Sequence, residues 1–229
     1  MTTEKHTKPI SEIIREQLKE DGVKYFSNDN IGEYFDEKTI ELLVDEVTEK
    51  MKGVLYSLVI DTENDHNTND TARRVAKMFI KEIFAGRYEK KPSVTSFPNA
   101  SKYDGLYVTG PITIRSTCAH HMMPIVGKAY IGVLPGDDVI GLSKFNRLTD
   151  WIVSRPQIQE EMTMQVADEI MEATKAKGVA VVIKAEHFCM THRGVREHDS
   201  DMTTSVMLGP FREDPSLKAE FLQIVGDMK

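Results

Sequence analysis

Val108-Thr-Gly-Pro-Ile-Thr-Ile-Arg-Ser-Thr117, followed shortly by Gly127-Lys-Ala-Tyr-Ile-Gly-Val-Leu134, is where this chain changes its period. Both runs are rich in the β-branched and aromatic residues that suit a pleated, half-buried surface, and Pro135-Gly-Asp-Asp138 closes the second as a turn. They predict a pair of strands.

Upstream, the pattern is helical. Pro9 and Ser11 precede a short amphipathic stretch, Ile13 to Leu18, that ends near Gly22. Ile40, Leu43, Val44, Val47, Met51, Val54, Leu55 and Leu58 keep one apolar face at helical spacing and predict a helix from about Glu37 to Asp61. Asn69 or Asp70 is placed to cap a third helix whose stripe is Val75, Phe79, Ile83 and Phe84, with Gly86 as its stop. Lys91 to Gly105, with Pro92 and Pro98, reads as a linker.

Downstream, Ser143 opens a helix to about Val153, and Pro156 opens another that runs to Lys177 and stops at Gly178. Strands follow at Val179 to Met190 and Met202 to Leu208, then a last helix at about Pro215 to Val225. The expected class is α+β: a helical arm and linker (1–100) before a core (101–229) built on an antiparallel sheet with helices on one face. Such a sheet leaves its other face and its edges in need of a partner, and a homo-oligomer that continues the sheet between subunits satisfies both.

A formal net charge of −7 argues against a general nucleic-acid surface, which must be broadly basic. A few cations aimed into one cleft can still hold a small anion. The Met1–His6 segment has no apolar core of a secretory signal, and runs such as Val179 to Ile183 are too short to span a bilayer. A cytoplasmic protein is the expectation.

The chemistry is signalled by the cysteines. Both lie beside histidines: Cys118-Ala-His-His121 and, about seventy residues on, His187-Phe-Cys189. Thiolate and imidazole are the preferred zinc ligands, and a Cys-x-x-His pair with one distant Cys supplies three. Three protein ligands leave a fourth position where water can bind and ionise near neutral pH. Other readings of the same residues are two buried cysteines acting as small hydrophobes, a structural zinc closed by His120 or His187, and a Cys118–Cys189 disulfide. On a strand, His187 and Cys189 would project from one face, so His187 would stand beside a metal held by Cys189. His120 would stand likewise beside His121. Histidines that flank a metal without binding it suit proton transfer near neutral pH.

Lys144 and Arg147, three apart near a helix N-terminus, suit an anion, or are a solvated surface pair. Gln159 and Glu160 offer an amide and a carboxylate to a planar heterocycle, and a carboxylate matches guanine's N1–H and 2-amino donors. Exposed helix polarity explains them equally well.

Ser116-Thr-Cys-Ala-His-His121, Gly141-Leu-Ser-Lys-Phe-Asn-Arg147, Arg155-Pro-Gln-Ile-Gln-Glu160 and His187-Phe-Cys-Met-Thr-His-Arg-Gly-Val195 together resemble the signature blocks of the zinc-dependent GTP cyclohydrolase I family. The resemblance runs from about Thr71 to the C-terminus and includes Leu208-Gly-Pro-Phe-Arg212. It implies zinc held by Cys118, His121 and Cys189, with His120 and His187 transferring protons and Ser143 near the ribose. It further implies Gln159 and Glu160 on the guanine edge, and Lys144, Arg147 and Arg193 on the triphosphate, with Arg74 supplied by a neighbouring subunit. The implied fold is the tunnelling fold in a toroidal homodecamer. The implied reaction opens the guanine imidazole ring of GTP at C8, releases formate and recloses to 7,8-dihydroneopterin triphosphate, a pterin precursor that can feed folate synthesis.

Ala119 departs from the pattern, since the family usually has Glu there. His192, and Glu161 followed by Met162, are smaller departures. Ala119 motivates a second reading, a paralogue that accepts another purine nucleotide or stops at the formamide. A third reading is a zinc-stabilised binding protein without turnover, which would have no use for His120, His187, Gln159 and Glu160.

Overall fold

The computed structural model describes residues 8–228, so the reading of Met1–His6 lies outside it. The chain divides into two compact units, one ending at Lys90 and the other beginning at Lys91.

The first unit is helical. It contains α1 (Ile10–Glu20), α2 (Glu37–Ser57), α3 (Thr71–Met78), which runs on through a wider π turn at Phe79–Ile83, and α4 (Ala85–Tyr88). Asp36 caps α2 by accepting from the Thr39 N–H at 2.7 Å, which starts the helix where its apolar stripe begins. Leu43 and Val44 of α2 pack on Ala76 and Ile80. Gly86 does not stop the third helical stretch, because α4 carries it on to Tyr88.

The second unit follows the predicted α+β order, with β1 (Ser96–Pro98) pairing to β4 (Asp138–Ile140) as a small separate ladder. The main sheet contains β2 (Tyr107–Cys118), β3 (Pro124–Leu134), β5 (Pro156–Gln157), β6 (Gly178–His187) and β7 (Asp201–Leu208), in the order β5-β2-β3-β6-β7. It is a mixed sheet. Pro156–Gln157 does not open a helix but forms a short strand parallel to the end of β2, and helix α6 begins only at Gln159.

Helices α5 (Leu142–Val153) and α6 (Gln159–Thr174) cover one face. Ile112, Ile114, Ile131, Val181 and Ile183 meet Phe145, Leu148, Val166 and Ile170 there. The expectation of helices on one face alone needs correction. Gly209, at φ 62°, turns the chain through a conformation open to glycine into α8 (Pro210–Glu213) and α9 (Pro215–Asp227). Phe211, Phe221 and Val225 then pack with Tyr130, Ala180 and Val182, which alternate along β3 and β6 with the residues of the larger core. Burial on both faces explains why β6 reads as an almost unbroken apolar run.

Candidate metal centre

Cys118 ends β2 and is buried. Its N–H donates to Met123 O at 2.8 Å and its carbonyl accepts from Met122 N–H at 2.9 Å, closing the tight turn that presents His120 and His121. Met122 adopts φ 53° to complete that turn. The neighbouring strand steadies it: Ala119 N–H donates to Gln157 O at 3.1 Å. Gln157 is itself buried, with Nε2 donating to Ile152 O at 2.8 Å and to Ser116 Oγ at 3.3 Å.

The second segment corrects one expectation. The strand stops at His187, and Cys189 lies on a single helical turn, α7 (Phe188–Thr191). His187 and Cys189 therefore do not share a strand face. The turn nevertheless brings the thiol to the first segment: ligand atoms of Cys118, His121 and Cys189 all lie within 4.8 Å of one another. A tetrahedral zinc with bonds of about 2.0–2.3 Å needs its ligand atoms roughly 3.4–3.8 Å apart, so a small contraction suffices. Both cysteines are free thiols rather than a disulfide. Burial and the hydrogen-bonded Cys118 thiol push the Cys189 thiol up from its ordinary range, and the nearby Arg193 charge opposes the rise. A thiol held protonated by burial, with a second sulfur and an imidazole close by, is a setting in which a cation would be favoured.

His120 lies outside this trio, on the exposed turn, with Nδ1 3.8 Å from Cys118 Sγ. His187 is half-buried, and its Nε2 lies 2.8 Å from Gln159 Oε1. Burial lowers its pKa from the usual value, partly offset by the negative charge of Glu160.

Glu160 is exposed in the first turn of α6, whereas Gln159 beside it is fully enclosed. Gln159 Nε2 is spent on Ile183 O at 3.1 Å, Met202 O at 3.0 Å and Thr204 Oγ1 at 3.1 Å. Its side chain thus faces the sheet and His187, not the open heterocycle edge expected of it. Ser143 and Arg147 are exposed on α5, and Lys144 donates to Ser93 O at 2.8 Å. Arg193 is exposed in the loop after α7. Arg74 is on α3 in the first unit, paired with Asp70 at 3.3 Å.

Sequence reasoning missed Gln157, Thr163 and Thr204. A signal for two of them was present. The buried stripe Met162, Val166, Ala167 and Ile170 of α6, extended back one turn, reaches Thr163 and Gln159. Alternation along β7 likewise sets Thr204 between Met202 and Val206 on one face.

The family profile described as GTP cyclohydrolase I matches residues 47–226. The GTP cyclohydrolase 1 of Flavobacterium johnsoniae is 39% identical over 213 residues, covering 91% of this chain and 94% of its own. That of Coxiella burnetii is 39% identical over 180 residues, covering 78% and 97%. That of Yersinia pseudotuberculosis is 40% identical over 176 residues, covering 76% and 80%. With a profile spanning most of the chain and relatives this similar along it, the chain belongs to the GTP cyclohydrolase I family.

Proposed function

We propose that this protein is a zinc-dependent GTP cyclohydrolase I. It adds water across C8 of the guanine ring of GTP, releases C8 as formate and, after rearrangement of the ribose, closes the ring to 7,8-dihydroneopterin triphosphate. The observation that carries the reading is the gathering of Cys118, His121 and Cys189, from segments remote in sequence, within 4.8 Å. Zinc held by that trio supplies Lewis acidity, which activates water and polarises a carbonyl.

The remaining work falls to side chains of the chain. His120 or His187 gives N7 of the purine its proton as water adds at C8. Burial, by lowering the His187 pKa, makes its charged ring the readier to give that proton up and its neutral ring able to accept one in the later transfers. His120, on the turn beside the trio, serves the proton transfers that open the ring, and Ser143 assists at the ribose. Glu160 accepts from N1–H and the 2-amino group, a role supported by its exposed place in the first turn of α6 and by the reach of its charge to His187. Lys144, Arg147 and Arg193 neutralise the triphosphate. Thiol ligands of this kind fit a reducing cytoplasm.

Purified protein incubated with GTP should release formate and develop pterin fluorescence together. Formate without a pterin means that the reaction stops after the formamide is hydrolysed, before the ribose rearranges and the ring closes. Neither product, with GTP recovered unchanged from zinc-loaded protein, would leave only the binding-protein reading; GTP converted to a formamide without formate, or turnover of another purine nucleotide in its place, would identify the paralogue.

The assembly proposed is a ring-shaped homodecamer, in which Arg74 of a neighbouring copy completes the triphosphate site. Strands β5 and β7 end the five-stranded sheet, which leaves edges to which another copy can add. Co-expressing Arg74→Ala with Cys189→Ala tests the shared site. Rings that mix the two should regain part of the activity that each variant lacks, because some sites then draw intact Arg74 and intact metal ligands from different chains. Mixed rings with no activity above the parents would mean that Arg74 acts within its own chain or not at all.

A further inference from the structure

We infer that Gln159 is a positioning residue that holds His187 in its Nε2–H form, leaving Nδ1 as the ring nitrogen that exchanges protons. The inference rests on the functional reading above only for its catalytic consequence; the geometry behind it is independent of substrate.

The argument starts from which end of the Gln159 amide faces which neighbour. Two of the groups around its Nε2, Ile183 O and Met202 O, are backbone carbonyls at 3.1 and 3.0 Å, and a carbonyl can only accept. Turning the amide over would press Oε1 against both in a fully buried place, so the NH₂ group must point at the strands. The other end, Oε1, is then an acceptor 2.8 Å from His187 Nε2. An acceptor at that distance requires a hydrogen on Nε2, because two lone pairs would otherwise face each other. Among the described residues, Nδ1 of His187 has no such partner.

The rest of the cluster runs in one direction. Thr163 Oγ1 donates to Gln159 O, one helical turn earlier, at 2.7 Å. With its hydrogen committed, Thr163 Oγ1 accepts from Thr204 Oγ1 at 2.6 Å. Thr204, its own hydrogen spent, is left to accept from Gln159 Nε2 at 3.1 Å. Each hydroxyl therefore has one orientation, and the amide cannot rotate without breaking the whole set. The elements that impose it are the first turn of α6, the end of β6 and the middle of β7, all parts of the packed core rather than of mobile loops. A ring held this way presents the same nitrogen to the reaction in every cycle, which removes the cost of reorienting it.

Solid-state ¹⁵N NMR of histidine-labelled, zinc-loaded protein at mildly alkaline pH reads the ring directly, with the His187 signals assigned by difference from His187→Asn. The expected spectrum shows a protonated Nε2 and a bare Nδ1. Gln159→Met, which keeps length and removes the acceptor, should give a mixture of the two neutral forms. It should also lower kcat roughly 10–100-fold with KM for GTP nearly unchanged. A purely structural role would lower the folded fraction and leave both the ring signals and the kcat-to-KM split of the remainder as in the parent. A parental spectrum with the hydrogen on Nδ1 overturns the inference without any variant having to fold, and so does an unaltered ring in folded Gln159→Met. If the parental spectrum is as expected and GTP is not turned over, the positioning stands and the functional reading falls.

Discussion

Cys189→Ala is expected to purify with far less than one zinc per chain and to turn over GTP at less than about a thousandth of the parental rate, since a metal that generates the nucleophile is worth several kcal/mol of transition-state stabilisation. The chain supplies three ligand atoms from two places, Cys118 and His121 on one turn and Cys189 on another. Removing the third leaves a two-ligand site that depends on one strand end. Alanine is the best helix former, so the single turn of α7 should survive, and circular dichroism should match the parent. Metal analysis beside turnover therefore separates loss of the ion from loss of the fold. Full zinc occupancy in folded Cys189→Ala would show that the ion is bound elsewhere.

Glu160→Ala is expected to reduce kcat/KM for GTP by about 30- to 5,000-fold, the equivalent of roughly 2–5 kcal/mol for removing one partner of a charge-assisted pair that bound guanine would enclose. The loss should be selective. Adenine lacks both the N1–H and the 2-amino donor, so ATP, a poor substrate already, has little to lose, and the preference for GTP should shrink by nearly the same factor. Glu161→Ala is the control, because the next residue on α6 points about 100° away round the helix. Activity within a few-fold of the parent is expected for it. Near-normal GTP turnover in Glu160→Ala, or a large loss in Glu161→Ala alone, would refute the assigned register.

These two variants differ in how far their residues could be read before the fold was known. Cys118, His121 and Cys189 were legible as a candidate trio because few side chains bind zinc and the chain has only two cysteines, both beside histidines. The way the third ligand arrives was not legible. Cys189 was expected on a strand beside His187, but the strand ends at His187 and the thiol arrives on a helical turn. Local sequence did not reveal this, since Phe188, Cys189 and Thr191 suit a strand as well as a turn. Glu160 was legible as an exposed carboxylate at a helix start. For Gln159 the stripe of α6 could point to the buried side, but not to the acceptors, because polarity alone cannot say which carbonyls, from strands far along the chain, an amide will meet.

The same division holds for the fold. Alternating β-branched residues in β2, β3 and β7, and apolar residues three and four apart in α2 and α6, identify these elements because each period follows from backbone geometry over a few residues. The pairing of Pro156–Gln157 with β2, the cover that α9 lays on the second face and the enclosure of Gln159 depend on contacts between residues tens of positions apart. Periodicity carries the residue's own preference, whereas these arrangements are set by which remote surfaces and acceptors the packed chain brings within reach, and that is settled only when the sheet and its helices close on one another.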